Sequence, residues 1–340
     1  MDIVNKELTW INNLRGICIL FVYLAHAEHY WGGDTYLRRF YAPFYVNAFF
    51  VVSGYLLFRK IWFLETFAEW RISAKKQIVA IVCKIIVPTI FFSAILYLPK
   101  SIFNHEQFML SKFAFNIFGG ISFWFTSGLV IAQFCLLLMM ILFHKRIWLY
   151  IVGACLSALA AILIKRIDPT PFPWFYKAGL CAVLYLVAGG IYFLEEQYFE
   201  KFKMKVLIVL LCGYCCYLFS GESINCAVMN ANSSVIGYVL GIWSSLLIIY
   251  LTKTIKENSL LNYIGRNSIT FYFLCGLFPA LFAGILKRIL PENFHISFAI
   301  VFIVLGAVSF AFLSSFLLNK FFPFLLDCRK IPVKLPVRKN

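Results

Sequence analysis

Long apolar runs alternate with short polar segments, many of them basic, along nearly the whole chain. A helix needs about 20 mostly apolar residues to cross the hydrocarbon layer of a bilayer. The pattern therefore predicts an all-α, polytopic membrane bundle of about ten transmembrane helices in one domain, residues 1–340, with a short basic tail over 319–340. The predicted spans are Ile11–Tyr30, Tyr41–Phe58, Ile78–Leu98, Phe123–Phe143, Ile147–Ile164, Ala178–Leu194, Val206–Phe219, Val235–Leu251, Ile269–Leu286 and Ile296–Leu318.

The composition supports a membrane protein. Of the 340 residues, 62% are hydrophobic and only 14% are charged, and the mean hydropathy is +0.84. Soluble domains carry about a quarter charged residues, so this composition excludes one water-soluble core. The net charge of +16 does not indicate a nucleic-acid partner, because the basic residues are spread between the apolar runs.

The distribution of Lys and Arg predicts the orientation. With Arg15 and Lys84 assigned to spans, 20 of the basic residues fall on one side of the predicted membrane and 9 on the other. The richer side is expected to be cytoplasmic, which places both termini inside. The segment Gly221–Ser234, with Glu222 and Asn225, is then expected outside.

The first span carries Arg15, His26, Glu28 and His29. Ionisable residues in a span are costly and usually face a cavity or a partner. Arg15 and His26 are eleven residues apart, which puts them on one helix face about 16 Å apart along the axis. The alternative is that Arg15 extends to lipid headgroups while His26 hydrogen-bonds a neighbouring helix.

A second group of basic residues follows span two. Arg71, Lys75, Lys76 and Lys84 either mark the cytoplasmic side or form a docking surface for a phosphorylated cytosolic ligand.

Cysteine chemistry is not indicated, because most of the 11 cysteines lie inside apolar runs. No metal site is predicted.

Five segments carry a family resemblance. Leu14–Ile17 followed by His26 resembles the opening helix of the membrane acyltransferase family 3, in which ten residues separate a basic residue from a His. Four later segments resemble that family's motifs in the same order, although Ser122 and Cys275 stand where members often have His. These segments are Asn47–Leu56, the basic run from Lys75 to Pro88, Phe123–Phe125 and Ile264–Tyr272.

The resemblance implies transfer of an acetyl or related acyl group from cytosolic acetyl-CoA to a hydroxyl of a surface polysaccharide or its lipid-linked precursor, in a bacterial cytoplasmic membrane. His26 would be the base and Arg15 would bind donor phosphate or hold the thioester end, while Arg71, Lys75, Lys76 and Lys84 would bind the nucleotide. The acceptor or cavity candidates are Glu28, His29, Asn47, Ser53, Tyr55 and Trp124. For Asn47, Ser53 and Tyr55 helix packing is the alternative, and for Trp124 an interfacial belt.

Two other functional classes fit a polytopic chain. A secondary transporter, or a flippase for a lipid-linked sugar, would also have many spans and buried charge. Transporters of this kind often have two matching halves with broken spans, and no such symmetry is visible. A purely structural membrane subunit gives no reason for Arg15 and His26 on one face. The sequence does not indicate an oligomeric state, and membrane lipids are the only other expected partners.

Overall fold

The computed structural model describes residues 8–103, 109–170, 173–220, 235–291 and 295–330, and every regular element in these ranges is helical. A π-helical turn (Val82–Ile86) joins α4 to α5, and a 3-10 turn (Cys328–Lys330) follows α17. The α-helices are α1 (Thr9–Trp31), α2 (Leu37–Tyr41), α3 (Asn47–Ile61), α4 (Phe67–Ile81), α5 (Val87–Phe103), α6 (Leu110–Phe118), α7 (Trp124–Phe143), α8 (Ile147–Ile167), α9 (Tyr176–Leu194), α10 (Glu196–Lys201), α11 (Lys203–Phe219), α12 (Val235–Thr254), α13 (Ser259–Arg266), α14 (Ser268–Leu274), α15 (Phe278–Ile289), α16 (Ile296–Phe321) and α17 (Pro323–Leu326).

Several of these helices are suited to cross a bilayer. Among the described residues, six helical segments are long and apolar enough to do so, and the bent pair α14–α15 makes a seventh if it is one span. The predicted spans one, two and seven fall on α1, α3 and α11. With 15 and 17 residues, α3 and α11 are short for a span, while Asn12, Asn13 and Arg15 make α1 more polar than the other spans. The chain is a multi-pass helical membrane protein, and the number of ten spans stays a prediction.

The surface of the bundle also matches a lipid environment. On α16, Ala299, Ala307 and Ala311 are buried at steps of four or eight residues, and small residues at this spacing allow close helix packing. The other side of α16 exposes large apolar side chains, of which Leu305 is 60% exposed. On α8, Leu156 is 59% exposed in the same way. Such apolar surface is stable in lipid and not in water.

The third predicted span begins earlier than expected. Thr66 and Glu69 form a capping box that starts α4 eleven residues before the predicted Ile78. The helical segment then continues through the π-helical turn into α5. Pro88 lacks the N–H that would donate to the carbonyl of Lys84. Directly before it, the N–H of Val87 donates to the carbonyl of Val82, five residues back, which is the spacing of a π-helix.

The ninth predicted span is not one continuous helix. It is broken between Leu274 and Phe278, and its two halves meet at an angle of 42°. The cause is Pro279, which stands at the start of α15 and cannot donate to the carbonyl of Cys275. The continuous span Ile269–Leu286 is thus corrected to two short helices.

Glycines allow two close helix contacts that position the site. A Cβ on Gly54 of α3 would meet the carbonyl of Leu186 in α9, and a Cβ on Gly189 of α9 would meet the carbonyl of Val51 in α3. A Cβ on Gly265 of α13 would likewise meet the backbone of Asn12 in α1. These contacts fix α3 against α9, and α13 against the beginning of α1. The segment 221–234, which includes Glu222 and Asn225, lies outside the described residues.

Candidate active site

A cavity of about 870 Å³ runs along α1 inside the bundle. Its walls come from α1, α2, α3, the π-helical turn, α7, α13, α14, the end of α16 and the segment that follows it. The residues of α1 that line it are spaced by three or four positions and therefore share one helix face. They include Arg15, Ile19, Val22, His26 and His29.

The two predicted chemical groups of α1 thus face the same space. Arg15 and His26 are both half-buried and both line the cavity. The rise of an α-helix sets them about 16 Å apart along the axis. One ligand that contacted both side chains would therefore have to be long.

All five segments that resemble family motifs reach this cavity, although they are distant in sequence. Besides α1, α3 contributes Phe49 and Ser53, the π-helical turn contributes Lys84 and Ile85, α7 contributes Trp124 and Phe125, and the α13–α14 region contributes Arg266 to Thr270 and Tyr272.

Tyr272 connects two of these segments directly. Its hydroxyl accepts a hydrogen bond of 3.1 Å from the backbone N–H of Phe125. The first N–H groups of a helix have no partner within the helix, so Tyr272 satisfies one at the start of α7. This bond holds Trp124 and Phe125 at the cavity wall.

One end of the cavity is strongly basic. Four cationic residues line this end, namely Arg15, Lys84, Arg266 and Lys330. Together with the carboxylate Asp327, which also lines it, they form what we call the basic mouth. The contact between α13 and the start of α1 places Arg266 at the level of Arg15. Asn319 of α16 donates a 2.9 Å hydrogen bond to Asn267, which brings the end of α16 to the same level.

The other end of the cavity contains His26, His29 and Arg38, and we call it the histidine end. His26 stacks on the ring of Tyr30, with 6.1 Å between the ring centroids. Arg38 forms an ion pair with Asp34, and its Nη1 lies 3.9 Å from Oε2 of the buried Glu28. The two ends thus offer different chemistry, because two imidazoles line one end and four Arg and Lys side chains line the other.

Glu28 follows His26 by two residues in α1 and does not line the cavity. Its side chain is fully buried and accepts hydrogen bonds from the backbone N–H and hydroxyl of Thr35 and from the hydroxyl of Tyr41. These contacts tie the end of α1 to the loop and helix that follow. The structure therefore places Glu28 in a packing position.

Asn47 and Tyr55, both on α3, also lie outside the cavity lining. Asn47 donates to the carbonyl of Pro43 at 2.8 Å. The hydroxyl of Tyr55 donates to Glu196 at 2.7 Å, beside the ion pair that Glu196 forms with Lys253. Of the predicted α3 candidates, only Ser53 reaches the cavity.

Among the predicted nucleotide-binding residues, Lys84 lines the basic mouth and the others do not. Arg71 and Lys75 line a separate, mostly apolar groove of about 210 Å³ with Trp70 and His144. Lys76 is exposed and lines neither space. The structure thus divides the four basic residues between two places.

Several lining residues were not predicted as site residues. Arg266 and Tyr272 lie within a motif that resembles the family, so the signal was present. Asp327 follows a long apolar span as an isolated carboxylate, while Arg38 and Asn319 show no pattern in the sequence. Among the described residues, no three His, Cys, Asp or Glu side chains come together in a way that could hold a metal ion.

The family of the chain follows from a comparison with known proteins. The family described as an acyltransferase domain matches residues 8–317, which covers nearly the whole chain and all segments that line the cavity up to α16. No curated protein and no solved structure matches the chain significantly. On the strength of the family match, the chain belongs to the membrane acyltransferase family 3 and is an acyltransferase.

Proposed function

We propose that this acyltransferase moves an acetyl group from cytosolic acetyl-CoA to a sugar hydroxyl of a cell-surface polysaccharide or its lipid-linked precursor. The enzyme would act in the cytoplasmic membrane of a bacterium. Both termini and the basic mouth would face the cytoplasm, in agreement with the excess of Lys and Arg predicted on that side.

The observation that supports this proposal is the shared cavity of Arg15, His26 and the basic mouth. A thioester donor with a phosphorylated nucleotide needs cations at one end and a proton acceptor near the acyl group. A cavity with cations at one end and imidazoles at the other offers both groups in that order.

The separation of Arg15 and His26 favours one of the two roles considered for Arg15. At about 16 Å along the helix axis, Arg15 does not reach a carbonyl that reacts beside His26. We assign Arg15 to the phosphates of the donor, with the extended pantetheine arm running along Ile19 and Val22 towards His26. Guanidinium groups suit this role because they bind phosphate oxygens in pairs.

In the transfer step, His26 would accept the proton of the sugar hydroxyl while the hydroxyl oxygen attacks the thioester carbon. The carbon–oxygen bond forms, the carbon–sulfur bond breaks, and the thiolate of CoA takes the proton from the imidazolium of His26. A covalent acyl-enzyme intermediate is the alternative route. Either route uses the ability of an imidazole to accept a proton and give it back.

The acceptor would bind at the histidine end, where His29 and Trp124 line the cavity near Ser53. An indole ring offers a flat apolar face on which a sugar ring can stack, and a hydroxyl and an imidazole offer hydrogen bonds. Arg71, Lys75 and Lys76 would act before binding, as surface charge that attracts CoA to the membrane.

The test is acetyl transfer or donor hydrolysis with radiolabelled acetyl-CoA and the purified full-length protein. His26→Ala should lower kcat by about 10²- to 10⁴-fold, the usual contribution of a general base. Arg15→Ala should mainly raise the KM for acetyl-CoA, by about 10- to 100-fold, the value of a hydrogen bond to a charged group. His144→Ala is the matched control, because this imidazole lies in the separate groove.

Membrane vesicles test the orientation in the same assay. Acetyl-CoA added outside inverted vesicles should be consumed, whereas right-side-out vesicles should not consume it. A wild-type protein that neither binds nor consumes acetyl-CoA would overturn the proposal, and transport of a sugar substrate would become the better explanation.

A further inference from the structure

The basic mouth contains one feature that does not suit an anion site. Among the described residues that line the cavity, Asp327 is the single carboxylate, and it is only 7% exposed. Arg329 donates to both of its oxygens, at 2.8 Å and 2.6 Å, and Nζ of Lys84 lies 4.0 Å from Oδ2. The hydrogen bonds from Arg329 lower the pKa of Asp327 below its usual range, so the group is charged at neutral pH.

The segment that carries Asp327 is seated on the π-helical turn. Two neighbouring residues of the segment lie against two neighbouring residues of the turn, since Cys328 lies beside Cys83 and Asp327 faces Lys84. The backbone N–H of Lys330 donates to the carbonyl of Asp327 at 2.9 Å, which places the side chain of Lys330 on the cavity.

A buried carboxylate between cations neutralises them when no ligand is bound. A phosphate group carries more negative charge than a carboxylate and has three oxygens, so it binds the same cations more strongly. A polyanion that enters the basic mouth would therefore replace Asp327 as the partner of Lys84.

We infer that the segment Pro323–Lys330 is the phosphate end of the donor site. Lys84 and Lys330 bind the nucleotide phosphates of the donor, and Asp327 is the counter-ion that these phosphates displace from Lys84. Arg329 holds the displaced carboxylate away from the ligand. This inference rests on the proposed function, because it takes the donor to be a CoA thioester.

The inference predicts opposite effects for two neighbouring residues. Asp327→Asn removes the competitor and should lower the Kd for CoA by up to about fivefold, the range of a partly exposed ion pair. Lys330→Gln removes a phosphate contact and should raise this Kd by about tenfold. Arg329→Gln leaves Asp327 free to stay on Lys84, and it should also raise the Kd.

The measurement is isothermal titration of the full-length protein with CoA, accompanied by kcat/KM for acetyl-pantetheine, which has the thioester without the nucleotide phosphates. The variants should change CoA binding and leave the use of acetyl-pantetheine within twofold of wild type. Lys320→Gln is the matched control, because Lys320 is exposed near the end of α16 and does not line the cavity.

The outcomes separate this inference from the function on which it rests. If Asp327→Asn and Arg329→Gln both weaken CoA binding, Asp327 only anchors the segment and the inference is wrong. Equal effects on CoA and acetyl-pantetheine, or no effects at all in a wild-type background that binds CoA, overturn it as well. A wild-type protein that binds no CoA overturns both the inference and the proposed function.

Discussion

Glu28 illustrates how an ionisable side chain is held in a membrane helix by packing partners. Three donors converge on its carboxylate, namely the N–H and hydroxyl of Thr35 and the hydroxyl of Tyr41. A carboxylate that accepts several hydrogen bonds in a buried place is expected to stabilise the fold. Glu28 thus differs from Arg15 and His26, which face the cavity.

We expect Glu28→Gln to lower the melting temperature, because the amide group places a donor against donors. Loss of hydrogen bonds to a charged group costs about 1.5–3 kcal/mol of unfolding free energy. Thermal unfolding in detergent measures the effect, and Glu65→Gln, at an exposed carboxylate, should be neutral. A variant that keeps its melting temperature but loses activity would show that Glu28 acts on His26.

At this scale the helical period predicted the face shared by Arg15 and His26, because that face depends only on spacing along α1. The partners of Glu28 could not be predicted in the same way. Thr35 and Tyr41 lie in a loop and a short helix, and the path of such segments is not encoded in a hydrophobic period.

At the scale of elements, the contact between α3 and α9 depends on two glycines. Gly54 and Gly189 each lie against a backbone carbonyl of the other helix. Such contacts bring helices closer than side chains normally allow. Since α3 carries Ser53 and Phe49 into the cavity, this contact also sets the position of one cavity wall.

Gly189→Ala should destabilise the protein, because its methyl group would overlap the carbonyl of Val51. Overpacking of this kind lowers the free energy of unfolding by about 1–3 kcal/mol. Gly284→Ala is the matched control, since no atom lies within 4 Å of a Cβ at that position. The free energy of unfolding of that control should rise by about 0.5–1 kcal/mol, because Ala is more stable than Gly inside a helix. Melting temperatures that fall equally in both variants would contradict the packing described for α3 and α9.

The apolar runs predicted the existence of the helices, and every predicted span coincides with a described helix or helix pair. They did not predict the break between α14 and α15, although Pro279 gave a signal for it. They also placed the start of span two at Tyr41, six residues before α3 begins at Asn47. A run of apolar residues reports hydrophobicity, and the end of a helix is decided by caps and prolines.

At the scale of the whole molecule, the site is assembled from residues that are far apart in sequence. Resemblance to family motifs identified Lys84 and Trp124 as site residues, because each lies within a motif. It did not identify Asp327 and Lys330, which reach the basic mouth only through the fold of the last segment. The division of Arg71 and Lys75 from Lys84 depends on the course of α4 and could not be predicted from charge alone.

The basic mouth has a consequence for the ion permeability of the membrane. A polar cavity deep in a bilayer is a potential leak for protons and Na⁺, whereas fixed positive charge along a pore excludes protons and cations. The cations Arg15, Lys84 and Arg266 all line the basic mouth of the cavity. We therefore expect proteoliposomes with the wild-type enzyme to hold a pH gradient, and those with Arg15→Gln combined with Lys84→Gln to lose it faster. Equal leak rates would show that apolar packing alone seals the bundle against protons. A faster rate in the variant would mean that the charges that attract the donor also preserve the proton gradient across the membrane.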